Sequence, residues 1–323
     1  SYDGFILYFG SVLHFYQHDS LVWTISSSSS CSYDDGGFLT FARISADAKY
    51  ITTLTNKGAV CLYSIDSETK LWESDNVAGT SNQENLAISD HGDYLGAAVD
   101  SYVYIFSKES NELLWSYETG FQYLLSFSGD GEKVVFNCND DDGSYPYQSN
   151  DLCLYESATG DEIWYDEDGA ENGVEYKDSD ISYDGEFLIV SGNEYLYLYD
   201  ISNDTYQWRY DGSSGHTSGC KIDSKNEFIG FVSGKELVTL DMNGTLISKL
   251  DLSADYRKSG FSEKLDAMVS VNDYNNDDDN VYFVPSFRPD IRINIVNVST
   301  EKFQPVEIST EFIYAADNIT DFN

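Results

Sequence analysis

Short runs in which apolar and polar residues alternate fill most of the 323-residue chain, and clusters of Asp, Gly, Ser and Asn separate them. A period of two is typical of strands in a sheet, and such polar clusters are typical of turns. No segment keeps apolar residues at i, i+3, i+4 and i+7 over three turns, so the pattern predicts no amphipathic helix. We therefore expect an all-β protein.

Five tryptophans mark an internal repeat. They lie 49, 43, 49 and 44 residues apart, and each belongs to an apolar run that follows a polar, turn-like cluster. A large ring on an outer strand buries its area in the wedge between two neighbouring sheets, so we expect a packing role for each. The five are Trp23, Trp72, Trp115, Trp164 and Trp208.

A second landmark occurs seven times: a small residue and a polar turn, followed by an apolar run. The intervals between copies are 44, 44, 39, 54, 41 and 39 residues. A period of about 43 residues is typical of the four-stranded blades of a propeller. The copies begin at Ser1, Ser45, Ser89, Ser128, Ser182, Asp223 and Ser262.

The unit around Ser182 shows four predicted strands, which we name A to D in chain order. They are SDISYD, EFLIVSG, EYLYLYD and TYQWRYD, with a tight turn at Asp184 and Gly185 after strand A. In the seventh unit we predict AMVSVN as strand B and IRINIV as strand C, with Phe303 in place of the tryptophan. The pattern thus predicts one domain over residues 1–323, a seven-bladed β-propeller of four-stranded antiparallel blades.

The first unit begins at Ser1, inside the turn between strands A and B, and so lacks a strand A. Because an open edge exposes unpaired backbone groups, we expect a C-terminal strand within EFIYAAD, residues 311–317, to close the ring. Donation of that strand to a neighbouring molecule would instead build a filament. A third interpretation is that Ser1 follows a removed signal peptide.

Two propeller families resemble this sequence. The segment LCLYESATGDEIW, which ends at Trp164, resembles the repeat of pyrroloquinoline-quinone-like propellers, and the x-S-x-D-G-x-x-L turn resembles WD40 and related surface-protein propellers. Gly215-His216 is similar to the Gly-His dipeptide of WD40 repeats. The quinone dehydrogenases of the first family are longer, with an adjacent Cys pair that this sequence lacks. The resemblance therefore implies the non-catalytic branch, with no quinone cofactor.

The charge balance narrows the choice of partners. The chain has 18 Lys and Arg against 56 Asp and Glu, a net charge of −38, so nucleic acid and anionic membranes are repelled. No run of 18 apolar residues exists, so we expect no membrane insertion. Long acidic loops are predicted between strands B and C and between strands D and A, on one face. We expect cations or a basic partner to bind at this acidic loop face.

Two acidic runs are candidate calcium sites, since clustered carboxylates supply the hard oxygens that Ca²⁺ prefers. Solvated acidic loops are the alternative interpretation, because neither run has the alternating spacing of an EF-hand. The candidate ligands are Asp140, Asp141, Asp142, Asp277, Asp278 and Asp279.

The five cysteines allow two disulfides at predicted loop ends. Cys138 and Cys153 flank the loop between strands B and C of the fourth unit, and Cys31 and Cys61 lie on the same predicted face. Either disulfide would imply an oxidising compartment. The alternative is five reduced thiols, and Cys220 is unpaired in both interpretations.

Four N-glycosylation sequons are present, at Asn203, Asn243, Asn297 and Asn318. The first three are predicted in the turns between strands C and D of the fifth, sixth and seventh units. Such turns favour Asn and Thr without any modification, so a turn role remains the alternative.

The sequence contains no G-x-S-x-G, Walker A, HExxH or paired CxxC motif, and we predict no catalytic residue. The first functional hypothesis is a secreted or cell-surface scaffold that binds a protein partner or itself, as in a filament or surface layer. The alternative is an intracellular WD40-like adaptor. A third hypothesis is a quinone-dependent or glycan-acting enzyme that uses the centre of the propeller.

Overall fold

In a computed structural model, the described residues lie mainly in antiparallel sheets. The described residues are 4–9, 12–17, 20–25, 31, 39–74, 84–99, 101–119, 124–138, 151–166, 176–192, 195–203, 205–212, 217–251, 258–261, 267–272, 280–285 and 296–299. They form strands and turns, and none of them belongs to a helix. Within these ranges there is accordingly no helix long and apolar enough to cross a membrane.

The chain divides into two compact units, Ser1–Gly173 and Val174–Asn323. The first unit contains four sheets, and neighbouring strands in each sheet follow chain order. Sheet 1 contains β1 (Gly4–Phe9), β2 (Val12–Gln17) and β3 (Ser20–Ile25); sheet 2 contains β4 (Leu39–Ile44), β5 (Tyr50–Thr55), β6 (Val60–Ser64) and β7 (Thr69–Glu73). Sheet 3 contains β8 (Glu84–Ile88), β9 (Tyr94–Val99), β10 (Tyr102–Ser107) and β11 (Leu113–Glu118); sheet 4 contains β12 (Leu125–Phe127), β13 (Lys133–Cys138), β14 (Asp151–Glu156) and β15 (Glu162–Asp166).

The second unit contains three four-stranded sheets with the same strand order. Sheet 5 contains β16 (Tyr176–Ile181), β17 (Phe187–Gly192), β18 (Tyr195–Asp200) and β19 (Thr205–Asp211). Sheet 6 contains β20 (Thr217–Ile222), β21 (Phe228–Ser233), β22 (Glu236–Asp241) and β23 (Leu246–Asp251). Sheet 7 contains β24 (Lys258–Phe261), β25 (Ala267–Asn272), β26 (Asn280–Pro285) and β27 (Val296–Ser299).

Hydrophobic core lies between neighbouring sheets, and this explains the apolar runs of the inner strands. In sheet 2, Cys61 and Tyr63 pack in a cluster with residues of sheet 1, whereas Val60 and Leu62 pack in a cluster with residues of sheet 3. Successive side chains of a strand point to opposite faces, so a sheet covered on both sides needs apolar residues at consecutive positions. Where burial is described, the fourth strand is mostly exposed, as in β7, β11, β19 and β23.

The all-β prediction is confirmed. Each of the four predicted strands of the unit around Ser182 overlaps one of β16 to β19, but predicted strand A, residues 179–184, extended into the turn, since β16 is Tyr176–Ile181. Among the described residues, six sheets have four strands and sheet 1 has three. The single domain and the number of blades remain predictions. Residues 311–317, predicted to close the ring, and Phe303 lie outside the described residues.

The predicted strand C of the seventh unit is wrong. We expected residues 291–296 in that role, but β25 pairs with β26, and Asn272 lies opposite Asn280. The acidic run between these residues suggested the start of a long insertion. It lies instead between two directly paired strands, and the alternating segment NVYFVP supplies the partner strand.

Candidate interaction surface

The turn between strands A and B is held by hydrogen bonds between its own side chains and backbone amides. In sheet 5, the Ser182 hydroxyl donates to Asp184 Oδ1 at 2.6 Å and accepts from the Phe187 amide at 2.9 Å. Asp184 Oδ1 also accepts from the Glu186 amide at 3.1 Å, and Gly185 has a φ of +67°. A side-chain oxygen that accepts nearby amides is typical of tight turns, and it explains why the landmark reads Ser-x-Asp-Gly.

The same turn recurs with small changes. Ser45 donates to Asp47 at 2.7 Å in sheet 2, and Ser128 donates to Asp130 at 2.6 Å in sheet 4. In sheet 6 the landmark begins with Asp223, whose Oδ1 takes the place of the hydroxyl and accepts the amide five residues later at 2.9 Å. These acidic residues therefore build the turns, in addition to the charge that they carry.

Hydrogen bonds also set the ionisation of the turn acids. Desolvation by itself would raise the pKa of Asp184, but the bonds from Ser182, Glu186 and neighbouring groups outweigh it and lower the pKa. The pKa of Asp241, in the turn between strands C and D of sheet 6, is lowered chiefly by the amide of Thr245 and also by that of Asn243. Both carboxylates are therefore charged at neutral pH.

Neighbouring A–B turns contact each other. The Asp47 amide of sheet 2 donates to the Asp90 carbonyl of sheet 3 at 3.1 Å. A Cβ added to Gly92 would lie 2.5 Å from Cδ2 of Tyr50, and φ at Gly92 is +71°. Only glycine fits this close approach without a shift of the ring, so the landmark glycine also serves the packing of adjacent sheets.

Three tryptophans form a repeated bridge from one sheet to the next. The indole N–H of Trp72 donates to the carbonyl of Lys108 at 3.0 Å, and that of Trp115 donates to Ser157 at 2.8 Å. In the second unit, Trp208 donates to Met242 at 2.9 Å. Each acceptor lies just after strand C of the following sheet. Trp23 packs edge-on against Tyr63 of sheet 2, with ring centroids 6.0 Å apart, and Trp164 is buried.

The residue before each tryptophan is a β-bulge, which the sequence analysis missed. In sheet 3, Ile105 pairs with Trp115 and Phe106 pairs with Leu113, so Leu114 is the extra residue of the outer strand. Sheets 1, 2, 4, 5 and 6 have a register shift at the equivalent position. The bulged residues are Val22, Leu71, Leu114, Ile163, Gln207 and Ile247.

Five of these six bulged residues are apolar, and their side chains are between 39% and 47% exposed. The position before them is also an exposed large side chain in several sheets, as at Leu113 in sheet 3. The outer strands therefore present apolar groups at a fixed structural position. The sequence signal was available, since an apolar residue precedes most of the tryptophans, but it is indistinguishable from a buried strand residue without the register.

A buried polar cluster joins β16 and β20, the first strands of sheets 5 and 6. Asp180 accepts from Lys221 Nζ at 3.0 Å and from the Ile222 amide at 2.7 Å, and Asp178 accepts from the Cys220 amide at 3.0 Å. The side chains of Asp180 and Lys221 are 10% and 16% exposed. Paired in this way, the charges hold the two sheets in register, and a lone charge at this depth would be costly.

The two aspartates of this cluster also affect the pKa of the unpaired cysteine, Cys220. Cys220 is buried, and burial raises the pKa of its thiol, with a further contribution from the negative charges of Asp178 and Asp180. Since the thiolate is the reactive form, the raised pKa and the burial both lower the reactivity expected of the Cys220 thiol in the folded protein.

The structure brings together both predicted cysteine pairs. The Cα atoms of Cys31 and Cys61 are 5.8 Å apart, those of Cys138 and Cys153 are 5.7 Å apart, and the sulfurs of each pair are at bonding distance. Cys138 ends β13 and Cys153 lies in β14, so the second pair joins neighbouring strands. The geometry suits a disulfide in both cases, and oxidation in the native protein stays a prediction.

One group of three possible metal ligands occurs among the described residues. The sulfurs of Cys31 and Cys61 and a carboxylate oxygen of Glu73 lie within 4.8 Å of one another. The two sulfurs lie at bonding distance from each other, so a cation would have to compete with the disulfide predicted there. The predicted calcium ligands lie outside the described residues; they are Asp140, Asp141, Asp142, Asp277, Asp278 and Asp279.

The sequons have mixed positions. Asn203 and Asn243 are exposed in the turns between strands C and D of sheets 5 and 6, as predicted. Asn297 lies within β27, opposite Tyr282, so its prediction as a turn residue is wrong; it followed from the misassigned strand C. Asn318 lies outside the described residues. Modification at any of them stays a prediction.

Comparisons with known proteins identify the fold. No protein-family model matches the chain, and no curated protein matches it. A chain of the mitotic checkpoint complex is similar in structure, with a TM-score of 0.65, 12% identity and coverage of 83% of this chain and 80% of that chain. The β-propeller domain of Myceliophteria thermophila Cps50 (Swd1) is similar with a TM-score of 0.61, 11% identity and coverage of 81% and 93%.

Both similar structures are WD40 β-propeller domains. At 11–12% identity the likeness shows the fold alone, which is a β-propeller with four-stranded antiparallel sheets. The β-propeller fold implied by the resemblance is thus confirmed, and membership of the WD40 superfamily stays a prediction. The resemblance to quinone-binding propellers stays a prediction.

Proposed function

We propose that this protein is a non-enzymatic scaffold that binds protein partners. The main support is that the repeated residues have structural roles. The landmark Ser, Asp and Gly build turns, and the tryptophans bridge sheets. The repeated part of the sequence therefore forms a rigid frame. Rigid frames of this kind present variable loops and outer strands for recognition, and the WD40 fold of the similar structures agrees with this role.

Site-directed photo-crosslinking tests the scaffold proposal. A benzophenone side chain would be placed in turn at exposed positions of the described residues, including Tyr183 and Leu114. We expect at least one position to give a covalent adduct with a defined protein in native extracts, and a position in the core, such as Leu198, to give none. Absence of protein adducts from every exposed position would contradict the scaffold role.

For the architecture we propose a single seven-bladed ring, closed by residues 311–317 as strand A of sheet 1. Within the described part of the chain, sheet 1 has three strands and the six other sheets each have four, which supports a further strand beside β1. Deletion of residues 311–323 should lower the thermal unfolding midpoint, whereas deletion of 318–323 should not. A midpoint unchanged by the longer deletion contradicts closure, and a concentration-dependent filament that the longer deletion abolishes indicates a strand donated to a neighbour.

A scaffold of this kind could lie outside or inside the cell, and a different observation favours each location. The two cysteine pairs at disulfide geometry favour a secreted or cell-surface protein. The WD40 fold of the similar structures favours an intracellular adaptor at least as well. The intact mass of the native protein separates them, because disulfides and N-linked glycans indicate the secretory route, and reduced, unmodified protein indicates the adaptor.

A further inference from the structure

We propose that the outer strands of sheets 2 and 3 form a docking surface for a basic protein segment that also carries apolar side chains. This outer patch consists of Leu71, Leu113, Leu114, Glu112 and Glu118. The proposal rests on the scaffold function above and gives it a location and a class of partner.

Two hydrogen bonds link the end of β7 to the turn that precedes β11. The Trp72 indole at the end of β7 donates to the carbonyl of Lys108, and the side chain of Asn111 donates to the carbonyl of Glu73 at 2.9 Å. Lys108 and Asn111 belong to the turn that leads directly into β11. Leu71 on β7, and Leu113 and Leu114 on β11, are exposed on the two strands that the hydrogen bonds of this turn connect.

The register of the outer strands shows how a partner can bind. Leu71 and Leu114 are both bulged residues, so the outward-facing amides and carbonyls of β7 and β11 lose their regular spacing there. Bulges on an edge strand oppose the addition of another strand. Recognition of this patch must therefore use side chains, with apolar groups of the partner against the three leucines.

The charge of the patch and of the whole chain favours a basic partner over a second copy of this chain. Glu112 directly precedes Leu113 and Glu118 ends β11, and both are exposed. Lys70, the cation of β7, forms an ion pair with Glu73 at 2.5 Å. The patch is therefore negative as well as apolar. Two chains of net charge −38 repel each other, whereas a segment rich in Lys or Arg is attracted and steered to the patch.

Peptide binding to the full chain tests the patch. The probe is a short fluorescent peptide of Lys and Ser with two Leu, and its control is the same peptide with both Leu replaced by Ser. At about 0.15 M salt, where charge alone is weakened, we expect the Leu-containing peptide to bind at least 10-fold more tightly by anisotropy. The variant Leu71→Ser/Leu114→Ser should lose about 10-fold, equivalent to about 1.4 kcal/mol.

The matched control is Tyr183→Ser, which removes an exposed aromatic from a turn in sheet 5 and should leave binding unchanged. Circular dichroism melting of each variant verifies that it is folded. Equal binding of the two peptides, or equal binding by wild type and the double variant, would overturn the proposal. If the crosslinking scan gives adducts at other exposed positions but none at Leu114, the docking-surface proposal is wrong and the scaffold proposal stands. If no position gives an adduct, both proposals are wrong.

Discussion

The indole nitrogen of Trp115 lies 2.8 Å from the carbonyl oxygen of Ser157, to which it donates a hydrogen bond across two sheets. Gly160, in the same turn as Ser157, lies beneath the ring, and a Cβ there would be 2.9 Å from the ring carbons. Its φ is +73°, which L side chains rarely adopt. The turn therefore fits the tryptophan because it has no side chain at this position.

We expect Gly160→Ala to destabilise the protein by about 1–3 kcal/mol, because the added methyl group meets the Trp115 ring in a crowded site. Urea unfolding measures the effect. Ala158→Ser, in the same turn and exposed, is the control and should change stability by less than about 0.5 kcal/mol. A neutral Gly160→Ala would show that the ring moves aside freely.

The Ser182 hydroxyl holds the A–B turn of sheet 5 together, and its loss leaves amides without their acceptor. Ser182 is buried, so Ser182→Ala should cost about 1–3 kcal/mol. Tyr183→Ala, at the exposed neighbouring position, should cost about 0.5 kcal/mol or less. If both variants unfold at the same urea concentration as wild type, the hydroxyl is not needed for the turn.

The buried ion pair between Asp180 and Lys221 should show strong energetic coupling. Lys221→Met leaves the Asp180 carboxylate without its cation, and we expect a loss of about 3–5 kcal/mol. Asp180→Asn in addition should recover part of this loss, because the amide oxygen can still accept from Ile222. A double-mutant cycle on urea unfolding gives the coupling, and additive effects would contradict the pairing.

The lowered pKa of Asp241 links stability to pH. A carboxylate whose pKa is depressed in the folded state adds stability that is complete above its unfolded pKa, about 3.9, and is lost as pH falls through its folded value. Asp241→Asn should therefore be less stable than wild type at pH 7, and the gap should shrink below about pH 4. A gap that is independent of pH between 7 and 3 would mean that the turn does not favour the charged form.

The sequence allowed prediction of the repeat, because Ser182, Asp184 and Trp208 act within a turn or strand whose pattern is local. It did not allow prediction of contacts that depend on register between sheets. Asp180 and Lys221 are 41 residues apart, and neither differs from an ordinary solvent-facing residue in the pattern. The bulge at Leu114 was missed for the same reason, since only its pairing with β10 distinguishes it from a buried strand residue.

The error in sheet 7 has a different origin. The segment before Asn280 is rich in Asn and Asp, and such composition indicates a loop without giving its length. The strand was therefore predicted too late in the sequence, and Asn297 was assigned to a turn that the structure does not have there.

The proximity of Cys138 and Cys153 was predictable, because both flank one loop between paired strands.

The cysteine geometry predicts the redox state of the native protein. We expect its denatured intact mass to rise by four hydrogens on reduction, two for each disulfide. Cys153→Ser should remove half of this increase and cost about 3 kcal/mol, the value expected for a loop of about 15 residues. Cys220 should be alkylated only after unfolding. A mass that does not change on reduction would place the protein in a reducing compartment.

The tryptophan bridges run forward along the chain, and this direction affects synthesis. Trp72, Trp115 and Trp208 each find their acceptor 36, 42 and 34 residues later, in a sheet that the ribosome has not yet released when the ring emerges. At about 5–20 residues per second, each ring waits roughly 2–8 s for its partner. Until its acceptor has been synthesised, each of these three indoles lacks its native hydrogen-bond partner in the nascent chain.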